Sequence, residues 1–161
     1  MRTRQPTTTT LENLRIPVQA KLAAAWTSLM FFVIYVDYFH LYKPGAIDQI
    51  RGGRIFEFDI SGTLLTIFVV VIGIPALMIM LSMTLPARVN RATNLVVASL
   101  YIPVMVFNAA STNWEWASFY GLSIGIEVLI LAFILRSAWT WPRTAPSATM
   151  ATSPDREAAR I

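Results

Sequence analysis

The chain has 161 residues, of which 55% are apolar and 14% charged, against roughly 45–50% and 25% in soluble domains. With a mean hydropathy of +0.55, a single domain of this size cannot cover its hydrocarbon with its own surface, so lipid is the solvent for much of it. The net charge of +4 would suit nucleic acid, but the basic residues flank apolar stretches instead of forming a patch interleaved with aromatics, and no nucleic acid is expected as a partner. The lack of cysteine excludes disulfides and cysteine-held metal, and a single histidine, His40, excludes a bis-histidine haem within one chain.

Residues 1–17 are polar and basic without apolar periodicity and read as a flexible tail. The first span is predicted over residues 18–42, apolar apart from Lys21, Asp37 and His40. A helix needs about 20 residues to cross ~30 Å of hydrocarbon. This run is too long for the core of a signal peptide, and no small-residue cleavage site follows it. A loop over residues 43–61 comes next, with turn signals at Pro44-Gly45 and Gly52-Gly53. Between Ile55 and Ile60, partial alternation of apolar residues with Glu57 and Asp59 suits a short extended piece or an interfacial segment.

The second span, residues 62–84, is the most apolar and holds Pro75, which should kink it. The third, 88–110, carries Pro103. The fourth, 114–141, is bounded by Trp114 and Trp116 at one end and Trp139 and Trp141 at the other, in the manner of two interfacial belts. From Trp116 to Trp139 a helix rises roughly 35 Å, close to the distance between such belts. Residues 142–161 form a second polar tail. The expected fold is an all-α, integral membrane four-helix bundle over residues 18–141, in which the short links make the second, third and fourth helices antiparallel neighbours.

Ten basic residues fall on the side of the chain ends, from Arg2, Arg4, Arg15 and Lys21 through Arg88, Arg91 and Arg136 to Arg143, Arg156 and Arg160. Only Lys43, Arg51 and Arg54 fall on the other, offset by Asp48, Glu57 and Asp59. The positive-inside rule places both termini in the cytoplasm and the loop 43–61 outside, as expected for a multi-pass protein of the inner or plasma membrane.

Polar groups within hydrocarbon need a reason, since a charge at the bilayer centre costs at least ~2.5–3.5 kcal/mol. Glu127 lies thirteen residues after Trp114 and fourteen before Trp141, at mid-membrane. A carboxyl that changes protonation at that depth is what a proton-coupled transporter requires; the plainer reading is a carboxyl hydrogen-bonded across the bundle. Asp37 and His40, spaced i, i+3, share one helical face with Trp26, Met30 and Val33, near the outer end of the first span. They form a candidate outer-mouth site for a cation or a pH response, or else a solvated pair that anchors the helix end.

Asn94, Tyr101 and Asn108 recur every seven residues on one face of the third helix. With Glu127 they outline a polar seam, or a packing face with interhelical hydrogen bonds, and a Tyr101–Glu127 hydrogen bond is expected from their matching depths. Ala117, Gly121 and Gly125 form a small-residue face on the fourth helix, turned nearly opposite to Glu127 at about 100° per residue. That face suits another copy of the chain or a partner membrane protein. Arg88 and Arg91, with Asn90 and Asn94, sit at the cytoplasmic mouth of the third helix, where arginines either bind a headgroup or anion or simply set topology.

Several short elements resemble a family of small bacterial four-helix membrane proteins known only as a domain of unknown function. They are Tyr35-Val36-Asp37 with Leu41-Tyr42-Lys43-Pro44, Ile74-Pro75, Leu85-Pro86 leading to Arg88, Asn90-Arg91 and Asn94, Ile126-Glu127, and Ala138-Trp139-Thr140-Trp141-Pro142. The resemblance covers about residues 18–142 and implies the fold, without an activity to carry over. In its pattern an acid often precedes the Ile-Pro of the second helix; here that place is Gly73, which removes one intramembrane carboxyl.

The leading functional expectation is a small transport or channel-like protein with Glu127 as its central polar site. The main alternative is a non-catalytic membrane subunit that stabilises or regulates a partner complex. A lipid- or quinone-modifying enzyme ranks last, because no nucleophile–base pair, metal-ligand set or cofactor motif is present in the sequence.

Overall fold

The computed structural model describes residues 16–110 and 114–142, the side chains of 108–110 excepted. The two expected tails thus lie almost wholly outside the described residues, as does the side chain of Asn108. Four helices are long and apolar enough to cross a membrane: α1 (Val18–His40), α3 (Gly62–Thr84), α4 (Ala87–Ala110) and α5 (Ala117–Trp139), the last preceded by a 3₁₀ turn, Trp114–Trp116. The fold is the expected all-α membrane bundle. With four crossings, both ends of the described chain lie on one side, called here the terminal side; the loop between α1 and α3 lies on the other.

Local chemistry explains the boundaries. Pro17 is extended (φ −62°, ψ 149°) and cannot continue a helix backwards, so α1 starts at Val18. Ser61 caps α3, its hydroxyl accepting from the Leu64 N–H at 3.2 Å. Leu85 is extended because Pro86 follows it, which ends α3. Pro75 and Pro103 are carried within α3 and α4.

The loop holds more structure than its turn signals predicted. Gly45 and Gly53, both at φ +80°, bracket a six-residue helix, α2 (Ala46–Arg51), which is too short to show a hydrophobic period. The extended piece forms a hairpin of β1 (Arg54–Ile55) and β2 (Phe58–Asp59), pairing Arg54 with Asp59 and Ile55 with Phe58. Phe56, at the turn, takes the left-handed conformation at φ +52°, a costly place for a bulky residue.

The packing order differs from the expected one. α1 lies against α3 and α5, and α4 lies against α5, whereas α3 and α4 meet much less despite their two-residue link. A link fixes where two helices start, not whether they stay together, and here α1 takes the large interface with α3. The core is also uneven. On α1 the buried residues are Leu22, Ala25, Trp26 and Leu29, and on α3 they are Pro75, Met78 and Ser82, all in the terminal half or at its edge. Leu131, Ile134 and Ala138 of α5 and Ala98 of α4 complete that half. In the loop-side half no residue of α1 beyond Leu29 and none of α3 before Pro75 is buried. The bundle is closed on the terminal side and loosely packed on the loop side.

Candidate intramembrane polar site

The closed half is pinned by a buried polar network. Trp26 of α1 is fully buried, and its indole N–H donates to the Asn94 Oδ1 of α4 at 2.7 Å. The Asn94 amide donates in turn to the carbonyl and the Oδ1 of Asn90, at 2.9 and 2.7 Å. Asn90 donates to the backbone carbonyl of Ser82 in α3 at 2.6 Å. That carbonyl is available because residue 86, which would supply the helical N–H four places on, is proline. Trp26 also meets Tyr101 edge to face, with ring centroids 6.0 Å apart. One indole thus ties α1 to α4 across the middle of the bundle, two helices that share no extended interface.

Tyr101 does not bond Glu127, as its depth had suggested. Its hydroxyl donates to the Val71 carbonyl of α3. Val71 stands four residues before Pro75, so its carbonyl is the one that the missing proline N–H leaves without a helical partner. The unmet acceptor on α3 draws the phenol away from α5. Asn94 and Tyr101 are therefore engaged in interhelical bonds and do not line an open seam.

Glu127 is turned inward, with 7% of its surface exposed. It belongs to the buried face of α5 that runs Ser123, Glu127, Leu131, Ile134, Ala138, polar toward the loop side and apolar toward the terminal side. Its carboxyl makes no hydrogen bond or ion pair among the described residues, yet neither oxygen is fully enclosed. The carboxyl of Asp37 on α1 is close enough to act on it electrostatically. Asp37 is exposed, in the loop-side part of α1, and likewise has no hydrogen bond or ion pair among the described residues. Two packed helices thus bring two carboxyls into electrostatic range, one near the middle of its span and one nearer the loop side.

His40 parts from Asp37. Its Nδ1 lies 2.9 Å from the Tyr120 hydroxyl of α5, and its ring meets Phe56 of the hairpin at a tilt of 47°, with centroids 4.8 Å apart. Lys43 donates to the same Tyr120 oxygen at 3.1 Å and sits over the Tyr120 and Trp116 rings at 4.9 and 5.4 Å. The candidate outer-mouth pair thus divides: Asp37 is left without a hydrogen bond among the described residues, and His40 joins a cation–aromatic clasp that holds the loop onto α5.

Gly121 and Gly125 are exposed on the side of α5 away from Glu127, and a Cβ at either would meet no atom within 4 Å. Arg88 is exposed, while the guanidinium of Arg91 lies 5.8 Å from the Trp139 ring centroid. Trp26, Ser82, Lys43 and Tyr120 were not singled out as polar-site residues from the sequence. The positions of Pro75 and Pro86 carried the one available signal, since each marks a carbonyl four places earlier that needs a donor from elsewhere.

No cluster of three metal-binding side chains occurs among the described residues. No curated protein and no solved structure matches the chain. A family model described as a family of unknown function (DUF6326) matches residues 15–144, which include all four spans, and the chain belongs to that family.

Proposed function

We propose that this multi-pass protein is a small transporter that takes up a proton or a small cation at Glu127 from the side opposite its chain ends, with Asp37 as the outer relay. The basic residues on the terminal side favour cytoplasmic termini in the cell membrane, so uptake would be from outside. One observation carries the reading: an inward-turned mid-membrane carboxyl, free of any hydrogen bond among the described residues, lies in range of a second carboxyl on the facing helix. Two acids within electrostatic range of each other in a low-dielectric setting favour taking up one positive charge. The interhelical tie that would otherwise explain a buried acid is made instead by Asn90, Asn94 and Tyr101. The packed terminal half closes the route inward, so passage requires that half to loosen, in alternation with the outer half.

The test is ion flux in proteoliposomes carrying a pH-sensitive dye, with wild type, Glu127→Gln and Asp37→Asn. Wild type should dissipate an imposed proton or cation gradient, Glu127→Gln should not, and Asp37→Asn should be slowed. If wild type moves no ion, the transport reading fails.

The exposed Gly121 and Gly125 support a second reading, a subunit that docks a partner helix against α5. It predicts that Gly121→Leu breaks a co-purifying association while leaving the isolated bundle intact.

A further inference from the structure

Every acid among the described residues lies at mid-membrane or toward the loop side: Asp37, Asp48, Glu57, Asp59, Glu115 and Glu127. The described cations of the terminal side, Lys21, Arg88, Arg91 and Arg136, have no carboxylate within ion-pair distance among these residues; the recorded ion pairs involve Arg54 alone. One of these arginines lines a groove, and a second lies beside one of its walls. Between α4 and α5 runs an open groove of about 460 Å³, lined by Leu95, Ser99, Leu135, Arg136, Trp139 and Thr140. Arg91 lies against its Trp139 wall. The Arg91 Nε is enclosed by protein without an acceptor, while its terminal nitrogens stay accessible.

The depths agree. Arg91 is four residues into α4 and Arg136 three residues before the end of α5, roughly 6 and 4.5 Å from the helix ends at 1.5 Å per residue. That is the level of phosphates and ester groups, with Trp139 at the boundary where indoles settle. Leu95 and Leu135 lie deeper and offer an apolar track. A second groove of about 460 Å³, between α1 and α5, holds only Lys21 as a cation and serves as an internal comparison.

We propose that the α4–α5 groove is a binding site for one anionic phospholipid from the leaflet on the terminal side, its phosphate held by Arg136 and Arg91 and an acyl chain lying along Leu95 and Leu135. Guanidinium groups bind phosphate oxygens through paired N–H donors, which a zwitterionic headgroup with its own ammonium satisfies less well. The site does not depend on the transport reading.

The full chain is purified in mild detergent, equilibrated with equal amounts of phosphatidylglycerol and phosphatidylcholine of matched acyl chains, and its retained lipids are weighed by native mass spectrometry. Wild type should keep one phosphatidylglycerol in preference to phosphatidylcholine by about tenfold, the scale expected for one to two basic contacts near a membrane surface. Arg136→Gln with Arg91→Gln should bring the ratio close to one, whereas Lys21→Gln, in the comparison groove, should leave it unchanged. If the double variant loses its helical circular dichroism, Arg136→Gln alone and raised salt on wild type are read instead, and each should lower the preference. Equal retention of the two lipids by wild type, or a preference unmoved by both the arginine changes and salt, overturns the proposal.

Discussion

The Tyr101 hydroxyl donates to the Val71 carbonyl, the acceptor in α3 that Pro75 leaves without its helical partner. The same relation recurs one end of α3 further on, where Asn90 donates to the Ser82 carbonyl that Pro86 cannot serve. In lipid no water is at hand for an unmet backbone carbonyl, so a proline in a spanning helix creates a demand that a neighbour must meet. Here α4 meets it twice, although α3 and α4 otherwise touch little.

Tyr101→Phe should therefore lower stability by about 1 kcal/mol, within the range measured for interhelical hydrogen bonds in membranes. Pro75→Ala restores an N–H to Val71, so in that background the loss from Tyr101→Phe should shrink. A double-mutant cycle on thermal unfolding in detergent checks this. Additive effects would show that the phenol is not answering the proline.

Asn94 holds more of the fold than Tyr101, because it links Trp26, Asn90 and through it Ser82. Asn94→Ala leaves the Trp26 indole N–H buried without an acceptor, at a cost of about 1–3 kcal/mol for each such group. It should lower the unfolding temperature more than Tyr101→Phe does, and Trp26→Phe should fall between wild type and Asn94→Ala. An Asn94→Ala protein as stable as wild type would remove the network from the account of the core.

Glu127 should behave oppositely. It is nearly as buried as Asn94 but makes no hydrogen bond among the described residues, so Glu127→Gln removes a costly group without breaking a bond. Its stability should equal or exceed that of wild type, even where ion flux is lost. A marked drop in unfolding temperature would mean that the carboxyl ties helices together, and the transport reading would lose its support.

The spans were legible because lipid demands length and apolarity from each helix, and α3 was located to the residue at both ends. The opposed faces of Glu127 and of Gly121 and Gly125 followed from helical period, and the inward turn of Glu127 from the cost of a carboxyl in lipid. Partners did not follow. Equal depth suggested Tyr101 with Glu127, but depth says nothing of which helices adjoin, and the free carbonyl at Val71 decided the matter. The i, i+3 spacing placed Asp37 and His40 on one face, yet Tyr120 and Phe56 claimed the imidazole from two other elements. α2 escaped notice because six residues hold less than two helical turns.

The clasp at the loop side yields the last prediction. Lys43 has only donors, so Tyr120 must accept from it, and the phenol's own proton is then free for His40 Nδ1. The two contacts make Tyr120 the joint of three elements: α1, the loop and α5. Phe56 meets the same imidazole while holding a left-handed conformation that a loosened hairpin would abandon. Tyr120→Phe keeps the ring under the Lys43 ammonium but removes both hydrogen bonds, so the loop should open more often while the four spans stay folded. Amide hydrogen exchange over residues 43–61 should then quicken by about fivefold, equivalent to roughly 1 kcal/mol at one factor of ten per 1.4 kcal/mol, with exchange in the terminal halves of α1 and α5 unchanged. Unaltered exchange in the loop would mean that the cation–aromatic stacking holds it without the phenol. Quickening throughout α1 would mean that the clasp supports the whole bundle, not the loop alone.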